Sequence, residues 1–300
     1  MMLLGVVWQD HLPHLRVRSA PKTASELVPV AGQLLRYRLK AEPERTCIGH
    51  VPFRSGRGDY VDCDNAPQPS SRVCERCAIV EATFASNLHH AHTRGSAELD
   101  PAIQKHMEQP NRLYLAAFRD GSIKVGTSTL ARSQKRLEEQ GAWQARFVAE
   151  TTNGRVVRHI EDAITEQLGL PQSVSATRKL RGLVNPVEDT KVSASLDDMA
   201  AVVERDVVAR ELASSVTSLN EPWRHPMADN PDVHRAIEYP LRLQRGRHDL
   251  ELVTAVGRHL IARRPDGDDV FVIDPMPLYG IWLEVGDFGS DEIAIQDSLF

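Results

Sequence analysis

A chain of 300 residues exceeds what a single hydrophobic core usually organises, so two or three domains are expected. With 41% hydrophobic and 26% charged residues its composition is that of an ordinary globular protein. No apolar run approaches the ~18 residues of a membrane span, which leaves no membrane partner to expect. The net charge of −5 speaks against a uniformly basic nucleic-acid binder until it is divided along the chain. Thirteen basic and twelve acidic residues in 1–111 give +1, twelve and seven in 112–182 give +5, and eleven and twenty-two in 183–300 give −11.

In chain order, residues 3–8 and 27–38 read as short strands or a strand-plus-hairpin. The opening MMLLGVVW has no basic leader and ends at Gln9-Asp10-His11, so it is read as a first strand rather than a signal peptide, with a cytoplasmic location to match. Residues 45–80 are turn-rich, with Gly49, Pro52, Gly56, Gly58, Pro67 and Pro69 among the cysteines. Every cysteine of the chain, Cys47, Cys63, Cys74 and Cys77, falls within 31 residues. A reducing compartment makes four clustered cysteines ligands rather than two disulfides. Cys74-x-x-Cys77 is a two-ligand knuckle, and Cys47 and Cys63 complete a tetrahedral set for a structural zinc ion. Such an ion would order a segment with little apolar surface to bury. His50, or a histidine of His89-His90-x-His92, is an alternative fourth ligand; the histidine run otherwise reads as a solvated loop.

Residues 98–109 suggest a short helix. The runs Leu113–Phe118 and Ile123–Val125 flank Asp120-Gly121-Ser122, which is a hairpin signal. A helix over 129–140 follows, stopped by Gly141, with Arg132 and Arg136 on one face. Ala145–Glu150 reads as a strand. A helix then starts at the capping residue Asn153 and ends at Gly169-Leu170-Pro171. Its apolar stripe is expected at Val156, Ile160, Ala163, Ile164 and Leu168, with Glu161 at the edge, open to a cleft. Thr177–Arg181 reads as a basic loop, 195–214 as a helix packed through Met199, Val202, Val203, Val207 and Leu212, and 240–296 as a small antiparallel barrel or sandwich.

The core of this pattern resembles the GIY-YIG nucleases. Leu113-Tyr114 stands for one half of the motif and Lys124-Val125-Gly126 for the other, with an arginine on the next helix and a glutamate on a later one. It is also similar to an uncharacterised bacterial and archaeal family with an upstream cysteine cluster and the pattern VYLA, KVG-x-T and RW-x-x-QGA. Here that pattern reads Leu113–Ala116, Lys124–Thr127 and Arg136–Ala142. Three positions depart: Lys124 replaces the second tyrosine, Leu137 the tryptophan, and Thr129 or Leu130 an arginine.

The resemblance together with the segment readings implies an α+β fold: a zinc-stabilised element, a small mixed sheet with helices, and a β-rich C-terminal domain. Its boundaries would be 1–45, 46–110, 111–185 and 186–300. It implies a nucleic-acid partner and, if catalysis survives, Mg- or Mn-dependent phosphodiester cleavage. In that chemistry Tyr114 would prepare water with help from Lys124, and Gly126 would let phosphate approach the backbone. Arg132 or Arg136 would offset charge on phosphorus, and Glu161 would hold the metal. The same residues also suit plain roles: a half-buried strand tyrosine, a strand-to-helix turn, solvated arginines, and a glutamate paired with Arg158 or Thr165. A non-catalytic scaffold that keeps a degenerate nuclease fold is the rival reading, and a protein partner on the acidic C-terminal part is a third.

Overall fold

The computed structural model describes residues 1–291 apart from 41, 52–59, 90, 96–97, 212–214 and 266; of 84–89 and 211 only the backbone is described. Pro52, Gly56, Gly58, His90, Leu212 and residues 292–296 therefore lie outside the described residues. The chain divides into two compact units, one of residues 1–49, 62–75 and 230–300, the other of 50–61 and 76–229.

In the first unit, β1 (Met2–Gln9), β2 (Leu12–Arg18) and β3 (Glu26–Pro29) form an antiparallel sheet. β4 (Leu34–Arg38) belongs to a second sheet of order β13-β4-β10-β11-β12-β9. Its other members are β9 (Ile237–Glu238), β10 (Arg247–Val256), β11 (His259–Arg263), β12 (Val270–Ile273) and β13 (Glu284–Val285). The expected barrel does not close: the strand order has two ends, β4 is inserted from the N-terminal part, and β9 joins β12 in parallel. Alternation along β10 and β4 places Leu250, Leu252, Leu35 and Tyr37 in the core, while β11 and β12 are buried on both faces through Leu260, Ile261 and Phe271.

The second unit holds the basic stretch. Its helices are α1 (Glu75–His89), α2 (Pro101–Met107), α3 (Ser133–Gln140), α4 (Gly154–Leu168), α5 (Ala176–Val184) and α6 (Asp189–Val203). Its strands β5 (Asn111–Ala117), β6 (Ile123–Thr129), β7 (Gln144–Thr151) and β8 (Val216–Arg224) order as β6-β5-β7-β8. The α+β class holds, and every pairing of this sheet is antiparallel where a mixed sheet was expected. The tight hairpin fixes β6 against β5, and α3 returns the chain so that β7 runs against β5 on its other side.

One face of the sheet, through Leu113, Leu115, Val125 and Ala149, shares a core with Val157, Ile160 and Ile164 of α4 and Val192, Leu196 and Val203 of α6. The opposite face carries Tyr114, Ala116, Phe118 and Phe147 against Leu137 of α3. Local chemistry sets the ends. Asn153 accepts from the backbone N–H groups of Arg155 and Val156 to start α4, and Gly141, at φ +67°, closes α3 in the left-handed region. The stripe of α4 runs through Val157 rather than Val156, which is only partly buried.

Two expectations need correction. Thr177–Arg181 is no loop: Ser175 caps it as part of α5, accepting from the Arg178 N–H. α6 begins at Asp189, before the expected Ser195, because Val192 extends its buried stripe by one turn ahead of Leu196. α1 went unread, since its weak amphipathicity gives no period to detect.

Candidate functional site

Four thiols come together first. The sulfur atoms of Cys47, Cys63, Cys74 and Cys77 all lie within 4.8 Å of one another, and Cys63 Sγ is 3.7 Å from Cys74 Sγ. A tetrahedron with metal–sulfur bonds of about 2.3 Å has edges of about 3.8 Å, so the spacing fits one ion. The backbone N–H of Cys74 donates to Cys47 Sγ at 3.2 Å and that of Gly49 at 3.4 Å. Donors aimed at sulfur favour the thiolate form that a metal needs. These four residues could thus hold a metal ion such as zinc. His50, weighed as an alternative ligand, stands beside the cluster with Nδ1 3.2 Å from Cys77 Sγ. His92 is not in a solvated loop: it is buried, with Nε2 2.8 Å from Asp162 and its ring edge-on to His159.

The hairpin register sets Tyr114 opposite Gly126 and Ala116 opposite Lys124. Tyr114 is 1% exposed and lies across Gly126: a Cβ added there would sit 2.5 Å from the tyrosine oxygen. The tyrosine ring therefore requires a glycine at this position. Gln140 Nε2 donates to the Tyr114 hydroxyl at 2.8 Å, and Arg136 hydrogen-bonds to it as well. Burial pushes the hydroxyl up from its ordinary value, against the pull of Arg136 and Gln140.

Lys124 is 6% exposed. Its ammonium stands 5.5 Å from the Tyr114 ring centre and donates to the Gln172 carbonyl at 3.2 Å. Burial brings it down to about 7, with Arg136, Lys179 and Arg158 pushing the same way and Glu161 opposing. Tyr114, Lys124, Arg136 and Glu161 are thus close enough to sense one another.

Glu161 departs from its expected place. It is 3% exposed, and Arg158 Nη1 donates to its Oε2 at 2.5 Å. Among the described residues the cysteines are the one cluster of three or more metal-ligating side chains. A single buried carboxylate already held by a guanidinium does not fit a Mg or Mn site.

Beside this buried group opens a cleft of about 250 Å³. Arg132, Arg136, Arg158, His106 and the hydroxyl-bearing run Thr127–Thr129 line it. Burial lowers His106, helped by Arg132 and Arg158. Arg132 reaches the carboxylate of Glu139, both oxygens at 3.1 Å, while Arg136 is exposed. The sequence brings Arg132 and Arg136 to this cleft; Tyr114, Lys124, Gly126 and Glu161 lie behind it and do not line it.

Sequence reasoning missed three contributors. Gln140 sits one turn beyond Arg136 on the same face, a signal that was available. Arg158 appeared only as a partner for Glu161. His106 had no local signal, because α2 meets the cleft only through tertiary packing.

Among the described residues, no helix is long and apolar enough to cross a membrane. Comparison with curated proteins and with solved structures yields no match. A family model described as a protein of unknown function (DUF2797) matches residues 36–246, more than half of the chain. The chain belongs to this uncharacterised family, DUF2797.

Proposed function

We propose that this protein binds nucleic acid through the arginine cleft and that its cysteine cluster holds a structural zinc ion. The observation that carries the reading is the convergence of Arg132, Arg136 and Arg158 with Thr127, Ser128 and Thr129 in one pocket. Guanidinium forks match phosphate oxygens, and hydroxyls complete the contacts without reading sequence. The +5 balance of residues 112–182 attracts a polyanion to that face. The surrounding unit is a GIY-YIG-like core, supported by Tyr114 opposite Gly126, Arg136 on α3 and Glu161 on α4. Zinc is the ion that four thiolates with donated N–H bonds suit best.

Fluorescence anisotropy with labelled single-stranded and duplex DNA and RNA tests the reading. Affinity should fall steeply with salt, and Arg136→Gln should flatten that dependence. No binding to any of them at low salt overturns it.

A second reading, phosphodiester cleavage, is favoured by one observation: Lys124, brought to about 7, lies beside the Tyr114 ring, where a neutral amine could take a proton. Against it stands Glu161, which is held by Arg158. Incubation of wild type and Lys124→Met with the same nucleic acids separates the two: cleavage lost in the variant supports the second reading, and intact substrate with both supports binding alone.

A further inference from the structure

We propose that Arg45 and Arg72 form a second phosphate-binding site, separate in residues and in unit from the cleft described above. Both belong to the first unit. They face a shared pocket of about 500 Å³, with Gln68, Ser70 and Ser71 supplying an amide and two hydroxyls.

Both guanidiniums are pinned by backbone carbonyls. Arg45 donates to Pro277 O at 3.2 Å and Tyr279 O at 3.3 Å, and Arg72 to Met276 O at 2.9 Å. Carbonyls orient a cation without neutralising it. In the same unit Arg18, Arg36, Arg38, Arg247, Arg258 and Arg263 each meet a carboxylate instead. Among the described residues no carboxylate forms an ion pair with Arg45 or Arg72. Both guanidiniums line the one pocket, so two like charges repel across it. An oxyanion between them would relieve that repulsion and find hydroxyl donors already at hand. Ser70, at φ +62°, holds the loop in the left-handed region that a non-glycine residue rarely adopts. A tetrahedral phosphate group matches these donors, and it could come from free phosphate or from a nucleic-acid backbone.

The test uses the whole zinc-loaded protein and needs no variant to fold. Modification of arginines by phenylglyoxal is followed by peptide mass spectrometry, with chloride, inorganic phosphate or a short single-stranded oligonucleotide at equal ionic strength. Phosphate protection of Arg45 and Arg72 by several-fold over chloride is the expected result. Protection by the oligonucleotide alone supports the same site and assigns its source to the backbone. Equal modification in all three solutions overturns the proposal. Because each arginine is read separately, failure at Arg136 and failure here are distinguishable. Calorimetric titration with phosphate supplies the second arm: Arg45→Gln should weaken one class of site about tenfold, at unchanged zinc content and circular dichroism, and an isotherm identical to wild type counts against the proposal.

Discussion

The cysteine cluster and the arginine cleft each bring together side chains of one kind, yet different forces hold them in place. Three of the four thiols are buried; Cys47, Cys63 and Cys74 sit in irregular, turn-rich chain and Cys77 in the first turn of α1. With the proposed zinc bound, the four sulfurs would be thiolates whose mutual repulsion the cation offsets, so the ion would be part of the fold. The arginines stand on α3, on α4 and on the short 3-10 turn between β6 and α3, and a hydrophobic core fixes these elements. Their convergence is tolerated because solvent screens them and the core holds the scaffold in place. On the reading proposed above, a ligand would build the first site and only occupy the second.

The most severe way to break the comparison is Cys74→Ser. Structural zinc contributes ~10–16 kcal/mol in isolated zinc modules, so bound metal should fall from about one ion per chain to none, with loss of the cooperative melting transition. Atomic absorption and calorimetry measure both, and metal-free wild type that melts like the native protein would sink the idea. Gly126→Ala comes next. The added methyl meets the Tyr114 ring and should cost about 1–3 kcal/mol by overpacking, seen as a lower denaturation midpoint; Tyr114→Leu in the same background should recover part of it.

Arg136→Gln should leave the melting temperature within a degree or two while weakening nucleic-acid binding about tenfold. An equal loss of stability would show the cleft to be as fold-dependent as the cysteines.

The smallest effects concern pH. Lys124 titrates at about 7 in the folded protein against an ordinary 10.5. The unfolded chain therefore binds the extra proton between these values, and stability should rise with pH across that window. Below about 7 the cost of the buried ammonium is present in full. Lys124→Met should remove the rise, and chemical denaturation at a series of pH values would show it. His225 behaves differently at the acid end. It is buried against Trp143, accepts from the Met227 N–H, and is lowered by burial to about 3 from 6.5. Stability should fall as pH drops from about 6.5 toward 3, with about one proton taken up on unfolding, and His225→Phe should flatten that limb.

Much of the second unit was legible in the chain. The hairpin with Asp120-Gly121 at its turn, the stop at Gly141, the cap at Asn153 and the confinement of the cysteines all rest on local chemistry, which acts through neighbours in sequence. Other features were not legible because their cause lies elsewhere in the molecule. TRKLR reads as a basic loop until Arg178 meets Asp120 and Lys179 meets the Gln140 carbonyl and the Phe118 ring. β4 reads as one strand of an N-terminal pair until it is found between β10 and β13.

The sequence by itself determined the end of α3, the start of α4, the hairpin turn and the set of thiols, because caps and turns are short-range effects. Only the tertiary structure decided that Glu161 is enclosed by Arg158, that Gly126 makes room for Tyr114, and that Arg158 and His106 join Arg132 and Arg136 in one cleft. Burial and the meeting of side chains from separate elements depend on how the elements pack, and no local pattern of residues encodes that.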